Sequence, residues 1–558
     1  EIHERLVGSE MCIRDRLINM SDLTNKTAEI SAMEIGSSTN AFTADELSLV
    51  AINPFPNRFM DYIETNVNNP AALVPKYIKQ VLDQVVASGC NTVLLNTSYR
   101  QADAILNVIQ ENEIPLKVIL GLSYLNDSVE HCLQVLQHFG FIPYKYDPET
   151  YINYPYADRI SGWQIMDQPH CWDWGQVYSE ICNPNTDTDS SAHTLNALTL
   201  GYALVDSLGR NHKAEDALQN KQRLVMFNLA AIPDLEKESD PHTQNAIMKW
   251  TGPSRTYREY VDAIDRLFKP EVLSYDFYPF IKYGGSSTLV VKSKDFFHYL
   301  SVFGNKIKQL NTKDKKTVNF WAYAMVTHHS CKNTATGSTI WEQPSPTLGM
   351  LRFAAFNALA YGAKGIVYWR MGLSSSYANG NETLTYHDAP IVCGIPGNGL
   401  PEPVLIMKHP TWDYIKTVNS EIQQTKSVFE GTTVIKCQHI PAFDSINNCT
   451  YEGVTQPSTD EPYKDISTEK PGVVVSHLQK ELSTGQMNYL LIVNKDYSNP
   501  QKISLFFKSS KEEIMYAITE GTPSKSVIEN SDYKQYKATL SEGGIIVFKW
   551  FSIKRIPK

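Results

Sequence analysis

Three acidic side chains occupy positions where two of them could act as a catalytic pair. Asp167 closes an apolar run that begins at Ile160, Asp276 follows a second run, and Glu342 lies in the segment after a third. A carboxylic acid can protonate a leaving group while a second carboxylate acts as base or nucleophile. We interpret Asp167 as the candidate acid, with Asp276 or Glu342 as its partner. For each acid, the alternative is a structural role as a cap or a plain loop residue.

Eight polar or aromatic side chains near the same runs are candidates for substrate contacts. Amide and imidazole groups exchange hydrogen bonds with hydroxyl groups, and Tyr and Trp rings offer surfaces that are partly apolar and partly polar. For the aromatic members the alternative is a place in the core. The histidine pair lacks a third ligand at a recognisable spacing, so we expect no metal, and no motif indicates another cofactor. The candidates are Gln168, Tyr278, Trp321, His328, His329, Trp369, Asn53 and Asn96.

A repeating pattern of elements positions these candidates. Between about residues 46 and 431, short apolar runs rich in β-branched and aromatic residues alternate with longer stretches of helical periodicity. This alternation predicts parallel strands joined by crossover helices. The predicted strands are Leu49–Asn53, Thr92–Asn96, Leu116–Leu122, Ile160–Met166, Arg223–Leu229, Val272–Tyr275, Val318–Met325 and Gly365–Trp369.

Eight strand–helix units predict a (β/α)₈ TIM barrel rather than a doubly wound open sheet. No G-x-G-x-x-G follows the first run, and polar and aromatic residues collect where the strands end. In such barrels functional side chains come from the carboxyl ends of the strands and the loops that follow them. The candidate residues are therefore expected to meet at one end of the barrel.

After about residue 431 the pattern changes to short alternating runs separated by Gly, Pro, Ser and Asn, which is typical of a small β-sandwich. We predict a barrel over 20–431 and a β-sandwich accessory domain over 432–558. Residues 1–16 resemble a translated sequencing adapter, so residues 1–19 are left out of the fold prediction. Met20 is one candidate for the native start; the alternative is that the native start, with any signal peptide, precedes this sequence.

Composition excludes several classes of protein. The chain has 558 residues, 42% of them hydrophobic and 20% charged, with a net charge of −9. Lys and Arg form no stripe, so we expect no nucleic-acid partner, and no apolar run is long enough for an integral membrane segment. The oligomeric state is not readable from the sequence.

Cysteines and sequons favour a secreted, periplasmic or cell-surface location over a cytoplasmic one. Cys90 and Cys132 are expected to be buried thiols. The other cysteines outside the adapter-like segment fall in predicted loops, where pairing is possible but connectivity cannot be deduced. The pairs considered are Cys171 with Cys182, Cys331 with Cys393, and Cys437 with Cys449.

Four motifs give the chain a family resemblance. They are Asp167-Gln168-Pro169, Tyr275-Asp276-Phe277-Tyr278-Pro279, Phe320-Trp321-Ala322, and Leu351-Arg352-Phe353 with the run Ala360–Ile366. With these motifs the chain resembles the clan of barrel glycoside hydrolases that includes family 42 β-galactosidases. It is most similar to a set of bacterial barrel proteins named as glycosyl hydrolases, over roughly residues 46–550. The last motif is the most specific.

The resemblance implies hydrolysis of a β-linked oligosaccharide or glycoside by two carboxylates. In the clan the acid is a Glu after strand four, and the nucleophile is a Glu at the end of strand seven. This sequence departs at both places: Gln168 stands where those bacterial proteins have the Glu of Asp-Glu-Pro, and strand seven carries no acid from Val318 to His329. Three interpretations stay open: an enzyme that uses Asp167, a pseudoenzyme that binds saccharide without cleaving it, and a scaffold with another role. Of these we favour the enzyme.

Overall fold

The computed structural model describes most of both predicted domains. The described residues are 46–55, 70–121, 135, 138–139, 154–167, 224–231, 256–268, 270–313, 318–372, 377–379, 382–393, 406–445, 448–454, 462–508, 513–527 and 532–553. Gln168 lies outside these ranges.

The strands up to residue 408 comprise the barrel strands and several short strands inserted between them. They are β1 Ser48–Ile52, β2 Thr92–Leu95, β3 Lys117–Gly121, β4 Ile160–Asp167, β5 Leu224–Ala230, β6 Val272–Asp276, β7 Phe280–Tyr283, β8 Val290–Val291, β9 Asn319–Met325, β10 His328–Asn333, β11 Thr339–Gln343, β12 Gly365–Trp369, β13 Tyr377–Asn379, β14 Glu382–His387, β15 Ile391–Cys393 and β16 Ile406–Lys408.

Eight of these strands close into a parallel barrel in the order β1-β12-β9-β6-β5-β4-β3-β2. The predicted (β/α)₈ barrel is therefore confirmed, because an open sheet would leave two edge strands unpaired. Alternate residues of each strand point to opposite faces. One set, which includes Ile52, Leu94 and Val367, fills the barrel interior. The other set, which includes Leu95 and Tyr368, packs beneath the surrounding helices.

The described helices surround this barrel, and two of them begin after a residue whose side chain caps the first turn. Ser98 caps the second helix by accepting a hydrogen bond from the Gln101 amide, and Thr347 caps the fifth through the Met350 amide. The helices are α1 Pro70–Ala87, α2 Tyr99–Glu111, α3 Tyr257–Phe268, α4 Ser293–Lys313, α5 Leu348–Ala360, α6 Pro410–Gln424 and α7 Lys426–Phe429. None of the helices in the described ranges is long and apolar enough to cross a bilayer.

Six of the inserted strands form a second sheet beside the carboxyl ends of the barrel strands. Its order is β13-β14-β10-β11-β7-β8, so the segments that follow β6, β9 and β12 each contribute one pair of strands. We call it the loop sheet. The sequence did not predict it, because its strands are short and several lack the apolar alternation of a half-buried strand.

The chain then enters a C-terminal β-domain made of two packed antiparallel sheets, which confirms the predicted sandwich. The first has the order β17-β21-β22-β27-β24 and the second β20-β23-β26-β25, and apolar side chains of both form a shared core. Its strands are β17 Thr433–Ile440, β18 Phe443–Asp444, β19 Cys449–Thr450, β20 Tyr463–Thr468, β21 Val473–Leu482, β22 Gly485–Asn494, β23 Gln501–Phe507, β24 Glu513–Ala517, β25 Ser524–Val527, β26 Lys534–Leu540 and β27 Ile545–Ile553.

The β-domain packs on the barrel through α5, which is buried almost throughout its length. The Ser476 hydroxyl donates to the carbonyl of Ala360 over 2.6 Å. Nearby, the Tyr361 hydroxyl lies 2.6 Å from Nε2 of His439 and 2.6 Å from the carbonyl of Glu452. Polar contacts thus join the two domains inside a largely apolar interface.

The cysteines differ in part from expectation. Cys90 is a buried free thiol, as predicted. Cys437 and Cys449 are also buried and free, so the pairing considered between them is not formed, and Cys331 is buried as well. Cys437 belongs to the ladder between β17 and β21, whereas Cys449 pairs with Asp444 in a separate two-stranded ladder. Cys132, Cys171 and Cys182 lie outside the described residues.

Candidate functional site

The carboxyl ends of β4, β5 and β6 bring two of the predicted acids to the same end of the barrel. In the strand register Asp167 is paired with Asn228, and Ala230 is paired with Asp276. Because adjacent strands lie about 4.8 Å apart, the backbones of the two acids are separated laterally by roughly 10 Å. On β6 the residue level with Asp167 in the ladder is Ser274, and Asp276 lies two residues beyond it.

A break in strand register determines which residue of β4 stands beside Asn228. Gln164 pairs with Met226, but Met166 pairs with Phe227, so the register shifts by one residue between them. Such a bulge inserts one residue into a strand and is common next to functional sites. Without it, Met166 rather than Asp167 would be paired with Asn228.

Asn228 lies inside the barrel and contacts the neighbouring strand β6. It is fully buried, and the Ser274 hydroxyl on β6 lies 3.0 Å from its Oδ1 and 3.2 Å from the carbonyl of Phe227. Two neighbouring strands are therefore tied together just below the level of Asp276.

Asp276 is half-buried at the end of β6. Burial is the largest cause of the raised pKa of the Tyr257 hydroxyl, and the negative charge of Asp276 adds to it. Tyr278, two residues beyond Asp276, is partly buried and packs against the apolar cluster that fills the barrel. Asp276 thus lies where the barrel interior opens toward the loops.

Asn53 and Asn96 join the ends of β1 and β2. Asn53 adopts a left-handed conformation with φ of 42°, which asparagine tolerates better than most residues. Its Oδ1 accepts a 2.8 Å hydrogen bond from the Asn96 amide, and its carbonyl accepts one from Gly372 beyond β12. The side chain of Asn53 therefore positions the backbone of Asn96 at the carboxyl end of the barrel, which we call the mouth. The sequence did not indicate this role.

Asn96 and Gln164 approach each other across β3, where Gly121 leaves room for them. A Cβ atom placed on Gly121 would lie 1.5 Å from Oδ1 of Asn96 and 3.4 Å from Oε1 of Gln164. Gln164 is fully buried. In the sequence, Gln164 is a polar residue two positions after Gly162. Because side chains alternate along a strand, both residues lie on the inward face of β4.

A series of rings runs from the barrel end into the loop sheet. The rings of Tyr323 and Trp369 are 6.4 Å apart, Trp369 and Tyr386 are also 6.4 Å apart, and Tyr386 stacks on His329 at 4.2 Å. His329 in turn meets Trp341 edge-on at 4.9 Å. Burial lowers the pKa of His329 to about 4, so its imidazole is neutral at pH 7.

Trp321 differs from the other aromatic candidates because it is only 1% exposed. Its indole lies against Gly365 of the neighbouring strand, where a Cβ atom would come within 2.5 Å of the ring. These contacts favour a packing role inside the barrel for Trp321. Trp369 is partly accessible and is the better placed of the two for stacking on a ligand.

Glu342 and His328 lie on the other face of the loop sheet. Glu342 alternates along β11 with Trp341 and Gln343, so its side chain points away from the face that contacts Trp369. Its carboxylate lies 3.0 Å from Lys282 and 3.6 Å from Nε2 of His328. The hydrogen bond from Lys282 is the largest cause of the lowered pKa of Glu342.

The structure therefore brings together only part of the predicted site. Asn96, Asp276 and Trp369 lie at the mouth, Tyr278 beside it, and Asp167 reaches it by strand register. His329 touches the mouth through Tyr386, whereas Glu342, its ion-pair partner Lys282 and the neighbouring His328 form a separate cluster.

Comparisons with known proteins give similarity of fold only. No protein-family model and none of the curated proteins matches the chain. A catalytic mutant of a GH42 β-galactosidase from G. stearothermophilus aligns over 92% of this chain and 100% of its own, at 10% identity and a TM-score of 0.46. A β-glucosidase from Thermotoga maritima aligns over 68% of this chain and 99% of its own, at 10% identity and a TM-score of 0.36. The closed parallel barrel of this chain fits the (β/α)₈ fold of the glycoside hydrolases that it resembles.

Proposed function

We propose that the chain is a carbohydrate-active protein that hydrolyses the O-glycosidic bond of a β-linked saccharide. The observation that carries this proposal is the register at the barrel mouth. The bulge in β4 pairs Asp167 with Asn228, one strand away from the β6 end that carries Asp276.

The chemistry assigns different roles to the two acids. Asp167 protonates the oxygen of the leaving group, and Asp276 is the second carboxylate, acting as nucleophile or as base for water. The lateral separation of roughly 10 Å and the offset of two residues along the strands place the two backbones roughly 12 Å apart. That spacing is compatible with carboxyl groups about 5–9.5 Å apart, the range used by such pairs.

Glu342 is less suited to either role. Lys282 keeps its pKa low, so Glu342 is ionised at neutral pH and cannot act as the acid. Its alternation with Trp341 along β11 also directs it to the opposite face of the loop sheet. We assign Glu342 to the stability of that sheet.

Saccharide contacts are assigned to the aromatic and polar residues near the two acids. Trp369 and Tyr278 are partly buried rings at the mouth, and such rings suit the apolar faces of pyranoses. The amide of Asn96 and the imidazole of His329 supply neutral hydrogen-bonding groups.

The test is turnover of chromogenic aryl β-glycosides by the wild type and by Asp167→Asn and Asp276→Asn. We expect each substitution to lower kcat by at least about a hundredfold while the protein stays folded. Asp83→Asn is the matched control, because Asp83 is a helix-surface acid paired with Lys79. Equal turnover by all four proteins would remove both acids from the mechanism.

One observation favours a second candidate, saccharide binding without hydrolysis. The strand that carries the nucleophile in the resembled clan is β9, and it ends in Tyr323, Ala324 and Met325, without a carboxylate. Binding of oligosaccharides without turnover across a broad panel of linkages would establish this candidate instead.

A further inference from the structure

One face of the loop sheet carries two histidines that lie far apart in the sequence. His328 on β10 and His387 on β14 are direct partners in the antiparallel ladder, so both side chains lie on the same face. We call it the outer face, because it is turned away from Trp369. The two imidazole rings are 5.5 Å apart and tilted by 54°. The sequence showed only the adjacent pair His328 and His329, whose side chains point to opposite faces of the strand.

Glu342 on β11 adds a carboxylate to the outer face. Its ladder partner is Ser330, two residues from His328, so Glu342 and His328 are diagonal neighbours. Oε2 of Glu342 lies 3.6 Å from Nε2 of His328. This distance is too long for a charge-assisted hydrogen bond, which brings N and O within about 2.7–2.9 Å. It is close to the separation of two ligands on one tetrahedral metal ion, roughly 3.4 Å for metal–ligand bonds of about 2.1 Å.

Two polar atoms of the outer face have no hydrogen-bond partner in the described part of the chain. They are Nε2 of His328 and the hydroxyl of Ser330, a residue that is only 3% exposed. Buried polar groups are normally paired, and the exceptions call for an explanation. Ser330 is the ladder partner of Glu342, and His328 lies beside it, so a hydrated cation at that carboxylate would supply both atoms with partners.

The charges around the two histidines suit a cation. Burial is the largest cause of the lowered pKa of His328, so its imidazole is neutral at pH 7 and has a free lone pair. Lys282 contacts only one oxygen of Glu342, Oε1, at 3.0 Å, and leaves Oε2 toward His328. Asp388, which follows His387, brings a second negative charge close enough to act on His328. Two carboxylates therefore face one ammonium group.

We propose that His328, His387 and Glu342 form a binding site for a divalent metal ion of the zinc class. Two imidazoles and a carboxylate are ligands that Zn²⁺ favours, whereas Mg²⁺ and Ca²⁺ are bound mainly by oxygen atoms. In the described part of the chain no three such side chains already surround one centre. His387 is exposed near the end of its strand, so its ring is free to turn toward His328 when the metal binds. Water completes the coordination.

The metal ion would link strands that come from two different loops. β10 and β11 follow the barrel strand β9, whereas β14 follows β12. Binding to side chains on all three strands therefore stabilises the loop sheet in its paired form. This role does not depend on the proposed function, because neither Asp167 nor Asp276 belongs to the site.

The experiment titrates the full-length protein, first freed of metal with a chelator, with ZnCl₂ in a calorimeter at pH 7. We expect one tight equivalent of Zn²⁺ that raises Tm, and no such effect of Mg²⁺. His387→Gln should weaken this binding at least about tenfold and leave the Tm of the metal-free protein unchanged, since the side chain is exposed. His328→Gln and Glu342→Gln should weaken it as well. His138→Gln is the matched control, because His138 is a partly exposed histidine 3.0 Å from the carboxylate of Asp103.

The outcomes distinguish this site from adventitious metal binding and from the proposed function. Loss of the tight equivalent in His387→Gln and His328→Gln, with His138→Gln unchanged, would establish the site even if no glycoside is hydrolysed. The proposal is overturned if the wild type binds Zn²⁺ no more tightly than His387→Gln, or if His138→Gln loses the binding instead. It is also overturned if bound Zn²⁺ leaves Tm unchanged. Turnover by the metal-free protein would support the proposed function without bearing on the metal site.

Discussion

The carboxylate of Glu342 lies 3.0 Å from the ammonium group of Lys282, its partner across the β7–β11 ladder. The contact involves an acid that the sequence places among the catalytic candidates. An ion pair within a sheet fixes the position of two strands and keeps the carboxylate charged, whereas a general acid must hold a proton at the working pH.

Replacing Glu342 is therefore expected to affect stability more than turnover. Glu342→Gln should keep kcat within about fivefold of the wild type and lower the free energy of unfolding by about 0.5–1 kcal/mol, the range of partly exposed ion pairs. Lys282→Met is the matched variant and should give a similar loss of stability. Kinetics on an aryl glycoside and thermal unfolding measure both effects, and a loss of kcat as large as that of Asp167→Asn would restore Glu342 to the mechanism.

The interface between barrel and β-domain should weaken in acid through His439. The Tyr361 hydroxyl donates to the carbonyl of Glu452, so Nε2–H of His439 must donate to the hydroxyl oxygen, and the ring is neutral. Burial is the largest cause of the strongly lowered pKa of His439, and the charge of Lys495 adds to it.

The sign of this effect follows from proton binding. Below pH 6.5 an unfolded histidine binds a proton that the buried one does not, so stability falls as the pH decreases, by up to about 1.4 kcal/mol per pH unit. His439→Gln keeps a donor and does not titrate, so its stability should change less between pH 6.5 and 4.5. Parallel denaturation curves of the two proteins over that range would contradict the assignment.

Lys495 should give a pH dependence of the same sign in the alkaline range. It is 5% exposed, lies 4.9 Å from the centre of the Tyr451 ring, and burial is the largest cause of its pKa being lowered from 10.5 to about 8. The buried charge therefore destabilises the fold at neutral pH, by about 3 kcal/mol for such a lowering. As the pH rises from 8 toward 10.5, the folded lysine loses its proton first and the wild type gains stability.

Lys495→Met tests this balance in urea denaturation. The variant should be more stable than the wild type at pH 7, and the difference should shrink between pH 8 and 10.5. Lys480→Met is a control, because Lys480 lies at the same interface and donates to the carbonyl of Glu430. A constant difference across the range would show that the charge of Lys495 is compensated.

Gly365 should be intolerant of any side chain. A Cβ atom there would lie 2.5 Å from the indole of Trp321, which is held inside the barrel. Gly365→Ala is expected to cost about 1–3 kcal/mol, as overpacking of a dense core does. Thermal unfolding measures the loss, and Gly284→Ala, at an open turn with φ of 57°, controls for backbone strain alone. Partial rescue by Trp321→Phe would confirm the contact.

Much of the fold was predictable because each barrel strand is an apolar run followed by helical periodicity. Val272–Asp276 and Gly365–Trp369 were located within one residue, as was the end of β9 at Met325. The loop sheet was not predicted, since strands such as β10 depend on pairing with distant segments rather than on their own residue pattern.

The candidate site was predictable only in its location. Strand ends indicated Asp167, Asp276 and Asn96, because their position along the chain fixes the end of the barrel to which they belong. The face of the loop sheet on which a side chain lies depends on how its strands pair. The separation of Glu342 from the mouth could therefore not be deduced from the sequence. Gln164 was missed because a polar residue inside an apolar run was taken as part of the strand.

The loop sheet also bears on how the molecule assembles. Its ladders join β10 to β14 and β11 to β7, segments that lie some fifty or more residues apart in the chain and are brought together only by the barrel strands between them. Closing such long loops costs entropy that pairing recovers only late, so folds rich in these contacts form slowly. The loop sheet is thus expected to form in the last stage of folding, after the barrel has closed. The proposed ability to hold a ligand beside it would arise at the same stage.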